Sequence, residues 1–160
     1  MSDSSTLAGY ASGQALWSIS EGETLAPIFA YLDQVGQRHM QQIEAPQMQE
    51  AVEQGRARME QMDPSMVAKV MIFDARIPWQ GEKLDALIIE WREHFPNPGA
   101  IVIGLTYTPA AEATATEPAR PLALHRPKLL QVSDSWKLRT DELMDGFFDG
   151  LGIHEQGRKV

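Results

Sequence analysis

The chain has 160 residues, 43% of them hydrophobic and 22% charged, a balance typical of soluble globular domains and far from that of disordered or membrane chains. Its formal net charge of -8, from 14 basic and 22 acidic residues, repels phosphate backbones and anionic lipids and so argues against nucleic acid or a membrane surface as partner. The absence of cysteine removes disulfides, thiolate metal sites and thiol nucleophiles. No run approaches a membrane span, and the N-terminus lacks the basic and apolar regions of a secretory signal, so a cytoplasmic protein is expected.

Residues 1–20 are rich in Ser, Gly and Ala, with Leu7, Tyr10, Leu16, Trp17 and Ile19 scattered among them. They read as a flexible arm attached to a single domain over 21–160. Ser20 or Thr24 suits the cap of a first helix, with Pro27 in its first turn. Ile28, Leu32, Val35 and His39 fall on one helical face, which makes His39 a hydrogen-bonded core residue, and Pro46 ends the pattern. A second helix is expected from near Pro46 to just before Asp63-Pro64. Along it Met48, Val52, Gly55, Met59 and Met62 make a narrow seam, suited to core packing or to a partner helix.

From Val67 the period changes to two, the mark of a strand. Met71, Phe73, Ala75 and Ile77 alternate with Val70, Ile72, Asp74 and Arg76. A turn over 78–82 leads to a second strand with Leu87, Ile89 and Trp91 on one face and Ala86, Ile88, Glu90 and Arg92 on the other. A turn over 95–99 leads to a third, with Ile101, Ile103, Leu105 and Tyr107 against Val102, Gly104, Thr106 and Thr108. The small, polar stretch 108–120 is expected to be a mobile surface loop. Residues 122–132 are suited to a fourth strand at the sheet edge, because Pro121 and Pro127 have no amide proton to donate, and the same prolines are expected to disfavour extension of the sheet through that edge. A closing helix over 140–151 sets Leu143, Met144, Phe147, Phe148 and Leu151 on one arc and Asp141, Asp145 and Asp149 on the other. The fold class is α+β: two N-terminal helices, an antiparallel meander of three or four strands, and a C-terminal helix packed on the sheet.

Hairpins that pair about Gln80 and about Asn97 set Asp74 opposite Ala86 and Glu90 between Val70 and Gly104, where the glycine marks a bulge. One sheet face then gathers Asp74, Arg76, Glu90, Arg92, His94 and Thr106, with Val70, Ile72, Ile88 and Val102 among them. The opposite face is apolar and is expected to be the core. The four apolar members of the mixed face make a patch of the size that marks protein interfaces, so the chain is expected to be a small acidic protein-binding module, paired with a protein partner or a second copy of itself. The carboxylates, arginines and histidine are the types that perform acid/base work or clamp an anion when partly buried; an enzyme or small-ligand binder is the alternative. No motif decides between the two. His39, His94, His125 and His154 lack the spacing of a zinc site, and a stripe of aspartates on a helix cannot encircle a metal. No nucleophile elbow or phosphate loop occurs, so neither metal nor cofactor is expected.

Overall fold

The computed structural model describes residues 3–21, 24–61, 63–94 and 98–158. Met62 of the methionine seam and hairpin residues 95–97 lie outside them, as does the side chain of His154. The described elements run α1 (Asp3–Ser20), β1 (Ile28–Asp33), β2 (Arg38–Gln42), α2 (Met48–Glu60), β3 (Met66–Trp79), β4 (Glu82–Glu93), β5 (Gly99–Thr108), β6 (Ala123–Leu124), β7 (Lys128–Val132), a 3-10 segment (Asp134–Arg139) and α3 (Thr140–Arg158). The seven strands form one antiparallel sheet in the order β2-β1-β3-β4-β5-β6, with β7 also pairing β5. The α+β class with an antiparallel sheet is as expected. The strand count and the helix layout differ.

The first difference lies in the N-terminal segment, a helix and not an arm. Its buried face carries Leu7 beside Ser4, Ala8, Ala11, Ala15 and Ser18, the last five spaced by fours and threes, so most of the helical period is carried by small residues that a search for large hydrophobes passes over. Small side chains let α1 lie close against α3. A Cβ built on Gly9 would overlap the Phe147 carbonyl oxygen and lie 2.8 Å from the Leu151 nitrogen; one on Gly150 would overlap the Thr6 carbonyl and lie 2.9 Å from the Tyr10 nitrogen. Each glycine is the space that the other helix's backbone occupies.

The second difference lies at 28–42, where an antiparallel hairpin, β1–β2, replaces the expected first helix. The step from Ile28 to Leu32 is four residues, which preserves a face in a strand as well as in a helix. The step that would have told them apart ends on Val35, which sits in the turn and is 81% exposed. Gly36 takes φ +86° there. The Asp33 carboxylate ties the turn by accepting from Val35 N at 3.0 Å and Gln37 N at 2.9 Å, and it pairs with His39 Nε2 at 2.8 Å. His39 stands on the edge strand β2 and not in a helical core, its ring stacked on Tyr31 at 4.4 Å.

The third difference is register. Gln80 (φ 51°) and Gly81 (φ 83°) form a two-residue turn, so β3 and β4 pair about the bond between them and not about Gln80. Trp79 faces Glu82, and every partner moves by one: Asp74 faces Leu87, and Ala75 faces Ala86. A one-residue slip sends all of β3 to the other side relative to β4. Between β4 and β5 the shift is two, with Glu90 opposite Val102 and Gly104 opposite Ile88, so the faces there are unchanged. The bulge lies in β7 opposite Val102 and Ile103, not at Gly104.

One face of the sheet therefore carries Ile28, Ala30, Val70, Ile72, Leu87, Ile89, Trp91, Ile101, Ile103 and Leu105. Helices α1 and α3 cover it and form the main core, in which Trp91 stacks on Phe147 at 5.8 Å. Phe29, Met71 and Phe73 project from the second face, where α2 covers β1 and β3 through Ala51, Gly55 and Met59. Met59 of the seam is thus core, while Met48 is exposed. β3 is buried on both sides from Ala68 to Ile72, which leaves its alternation without a phase.

The expected fourth strand is present as two short pieces, β6 and β7, both on the edge of the sheet. Pro121 and Pro127 fall just outside the pieces. The 108–120 stretch is exposed but for Ala111, and its base is closed by backbone bonds of 2.9 and 2.8 Å between Ala111 and Arg120.

Candidate functional site

The register divides the residues expected to share one face. Val70, Ile72, Asp74 and Arg76 project on the side of α1 and α3; Ile88, Glu90, Arg92, His94, Val102 and Thr106 project on the other. Val70 and Ile72 are wholly buried in the main core, so the expected apolar patch keeps only Ile88 and Val102, both half-buried.

Asp74 meets a partner of its own. Tyr107, whose backbone lies two strands away, donates its hydroxyl to Asp74 Oδ1 at 2.7 Å. Burial raises the Asp74 carboxyl above the ordinary range, against the pull of that hydrogen bond, and the nearby Asp85 adds to the rise. Burial likewise pushes the Tyr107 phenol up. Arg76 is exposed and reaches Asp85 at 3.6 Å.

On the second face, Glu90, Arg92 and His94 gather at the end of α2. Arg92 Nη2 lies 2.8 Å from Glu90 and 2.8 Å from Glu60 of α2, and its hydrogen bond holds the Glu60 carboxyl below the ordinary range. Lys69, on β3, is fully buried beside them and donates to the Arg58 and Gln61 carbonyls at the C-terminal end of α2, where the Arg58 oxygen also accepts from Gln61 N. Burial draws the Lys69 ammonium below the usual lysine range. The same cause, followed by the Lys69 and Arg92 charges, lowers His94, whose Nε2 is buried without a hydrogen-bond partner among the described residues. The Arg92 and Lys69 contacts of this cluster clamp α2 to the sheet. Thr106 is buried on the same face, its Oγ1 likewise without a partner.

Open space lies at the margins of the helix-covered face, for a geometric reason. Six strand positions at about 4.8 Å spacing span roughly 24 Å, whereas two helices side by side cover about 20 Å. A cleft of 510 Å³ between α1 and β2 is lined by Leu7, Tyr10, Ala11, Gln37, Arg38 and Met40. A second, of 310 Å³, lies between α3 and β7; its lining is apolar from Ile103, Leu129, Met144 and Phe148 and carries one charge of each sign, Arg126 and Asp141.

The second margin also carries the exposed large hydrophobes that the mixed face was expected to supply. Leu129 is 48% exposed, Phe148 46% and Leu130 41%. The bulge at Leu130 sends Leu129 toward α3 and lets Leu130 reach the second face, where it meets Ile77 over Gly104. No described strand pairs with the other edge of β7. Five of the 14 basic residues and one of the 22 acidic ones fall between Arg120 and Arg139, a reversal of the chain's overall sign that is legible in the sequence. Its meaning needed the edge.

No grouping of His, Asp and Glu suited to a metal occurs among the described residues, and none of their helices is long and apolar enough to cross a membrane. No family model, curated protein or solved structure matches the chain.

Proposed function

We propose that this chain is a protein-binding module that accepts an extended, acidic segment of a partner along β7. The observation that supports this reading is the coincidence, on one sheet margin, of an open strand edge, exposed Leu129, Leu130 and Phe148, and most of a locally basic segment. An added strand satisfies the outward amide and carbonyl groups of β7, and its alternate side chains enter the 310 Å³ cleft. The prolines lie outside β7, so they do not block it. The bulge keeps the ladder short, which suits one docked segment over open-ended sheet growth. Arg126 and Asp141 both line the cleft, so the partner's sign is selected by the basic excess of the 120–139 segment, which acidic residues along the added strand complement.

The test is titration of the isotope-labelled protein with a short peptide alternating Asp and Val, followed by amide chemical shifts. Shifts centred on Lys128–Val132 are expected, with little response to the Lys/Val counterpart. Because both side chains are exposed, Arg126→Glu and Leu129→Glu leave the fold intact and weaken the Asp/Val peptide about tenfold or more. Equal binding of both peptides, or shifts centred on Ile88 and Val102, overturns the reading. A dimer that Leu129→Glu dissolves assigns the edge to a second copy of the chain instead.

A further inference from the structure

The cleft at the opposite margin is built differently and stands independently of β7. Its apolar wall is Met40, 40% exposed, over the buried Leu7 and Ala11, and its rim carries one guanidinium. The Arg38 guanidinium carbon lies over the Tyr10 ring, 4.2 Å from its centroid, a cation–π contact that holds the charged head at the rim of the cleft. Although the chain carries 22 acidic residues, no described carboxylate lies within ion-pair distance of Arg38. The strand that presents it is held at its start by the Asp33 knot, since Gln37, the residue before Arg38, donates to that carboxylate and its carbonyl accepts from Asp33 N at 3.0 Å. The volume of 510 Å³ falls within the roughly 300–1,000 Å³ typical of small-molecule sites.

We propose that this α1–β2 cleft binds a small organic acid, its carboxylate on the Arg38 guanidinium and its apolar body along Met40 and Tyr10. The planar fork matches a carboxylate with two parallel hydrogen bonds, and the contact with Tyr10 lowers the cost of ordering the arginine side chain. Specificity then has two parts: the charge must be present, and an apolar body must follow it. The exposed position makes binding dependent on salt.

Calorimetry with octanoate, octanol and acetate separates these parts on the intact chain, with the Arg38 Nε–H resonance as a local readout. Octanoate is expected to bind and shift that resonance, and octanol and acetate to bind at least about tenfold more weakly, since each lacks one of the two elements. Arg38→Met keeps the stem over Tyr10 but removes the donors, so it should lose octanoate by the same factor; Arg38→Lys keeps the charge without the fork and should fall between. Arg38 is exposed, so both variants fold, which circular dichroism checks. Octanol binding as tightly as octanoate, an unchanged affinity in Arg38→Met, or no octanoate binding at millimolar concentration overturns the proposal.

Discussion

Gly150 and Gly152 lie two residues apart in α3, and the same substitution is expected to act on them with opposite sign. In a helix interior Gly→Ala stabilises by about 1 kcal/mol through backbone entropy alone. At Gly152 nothing lies within 4 Å of the added methyl, so that gain is realised whole. At Gly150 the methyl overlaps the Thr6 carbonyl oxygen and lies 2.9 Å from the Tyr10 nitrogen, against about 3.4 Å for ordinary contact. Both atoms are backbone, so no rotamer change relieves the clash, and α1 and α3 must part by about 0.5 Å on the second contact alone. Overpacking of this kind costs about 1–3 kcal/mol; with the entropy gain subtracted from the upper part of that range, Gly150→Ala should destabilise by roughly 1–2 kcal/mol. Urea unfolding followed by circular dichroism measures both variants, with an unchanged m-value as the sign that only stability has moved. The midpoint temperature should fall by roughly 2–8 °C for Gly150→Ala and rise by about 2–4 °C for Gly152→Ala. Gly9→Ala meets the same interface from the other side, so the double variant Gly9→Ala/Gly150→Ala should cost less than the two singles added together. Stabilisation by Gly150→Ala equal to that by Gly152→Ala would refute the close approach of the two helices.

Three more perturbations probe the other links. Ile72→Ala, in the main core, should cost about 2–5 kcal/mol, and Ile88→Ala, on the partly open face, distinctly less; equal losses in urea titrations would mean that the β3 register has been misassigned. Gln80 holds a left-handed conformation that asparagine accepts more readily, so Gln80→Asn should raise stability by roughly 1 kcal/mol, read from the same titrations. Asp74 retains its proton to higher pH in the folded chain than in the unfolded one, so its contribution to stability is complete below the ordinary carboxylate range and is lost as pH rises through the raised folded value. Asp74→Asn, which stays neutral, should match the parent at acid pH and exceed it in stability at neutral pH; a difference independent of pH would show that Asp74 ionises normally.

Much of the architecture was legible because it rests on short-range pattern. The alternation along β4 and β5, the turn residue Gly81, the confinement of 122–132 to an edge by its prolines, the second helix and the closing helix each follow from a period or a backbone preference confined to a few neighbours. The clustering of Glu90, Arg92 and His94 was also within reach, since they alternate on one strand. Lys69 was not, because a lysine among apolar residues becomes informative only when the helix end it serves is known.

What the sequence by itself determined, then, was the class of fold and the local phase of each strand whose two faces differ in polarity. Tertiary structure alone decided the rest. β3 is buried on both sides from Ala68 to Ile72, so the two-residue turn at Gln80-Gly81 chose which side joins the main core, and that choice parted Asp74 from Glu90. The Ser and Gly of residues 3–20 are weak helix formers, and it is the close approach of α3 that makes their smallness useful. The two clefts exist because a sheet six strands wide is broader than a pair of helices, a mismatch of whole elements that no single residue encodes.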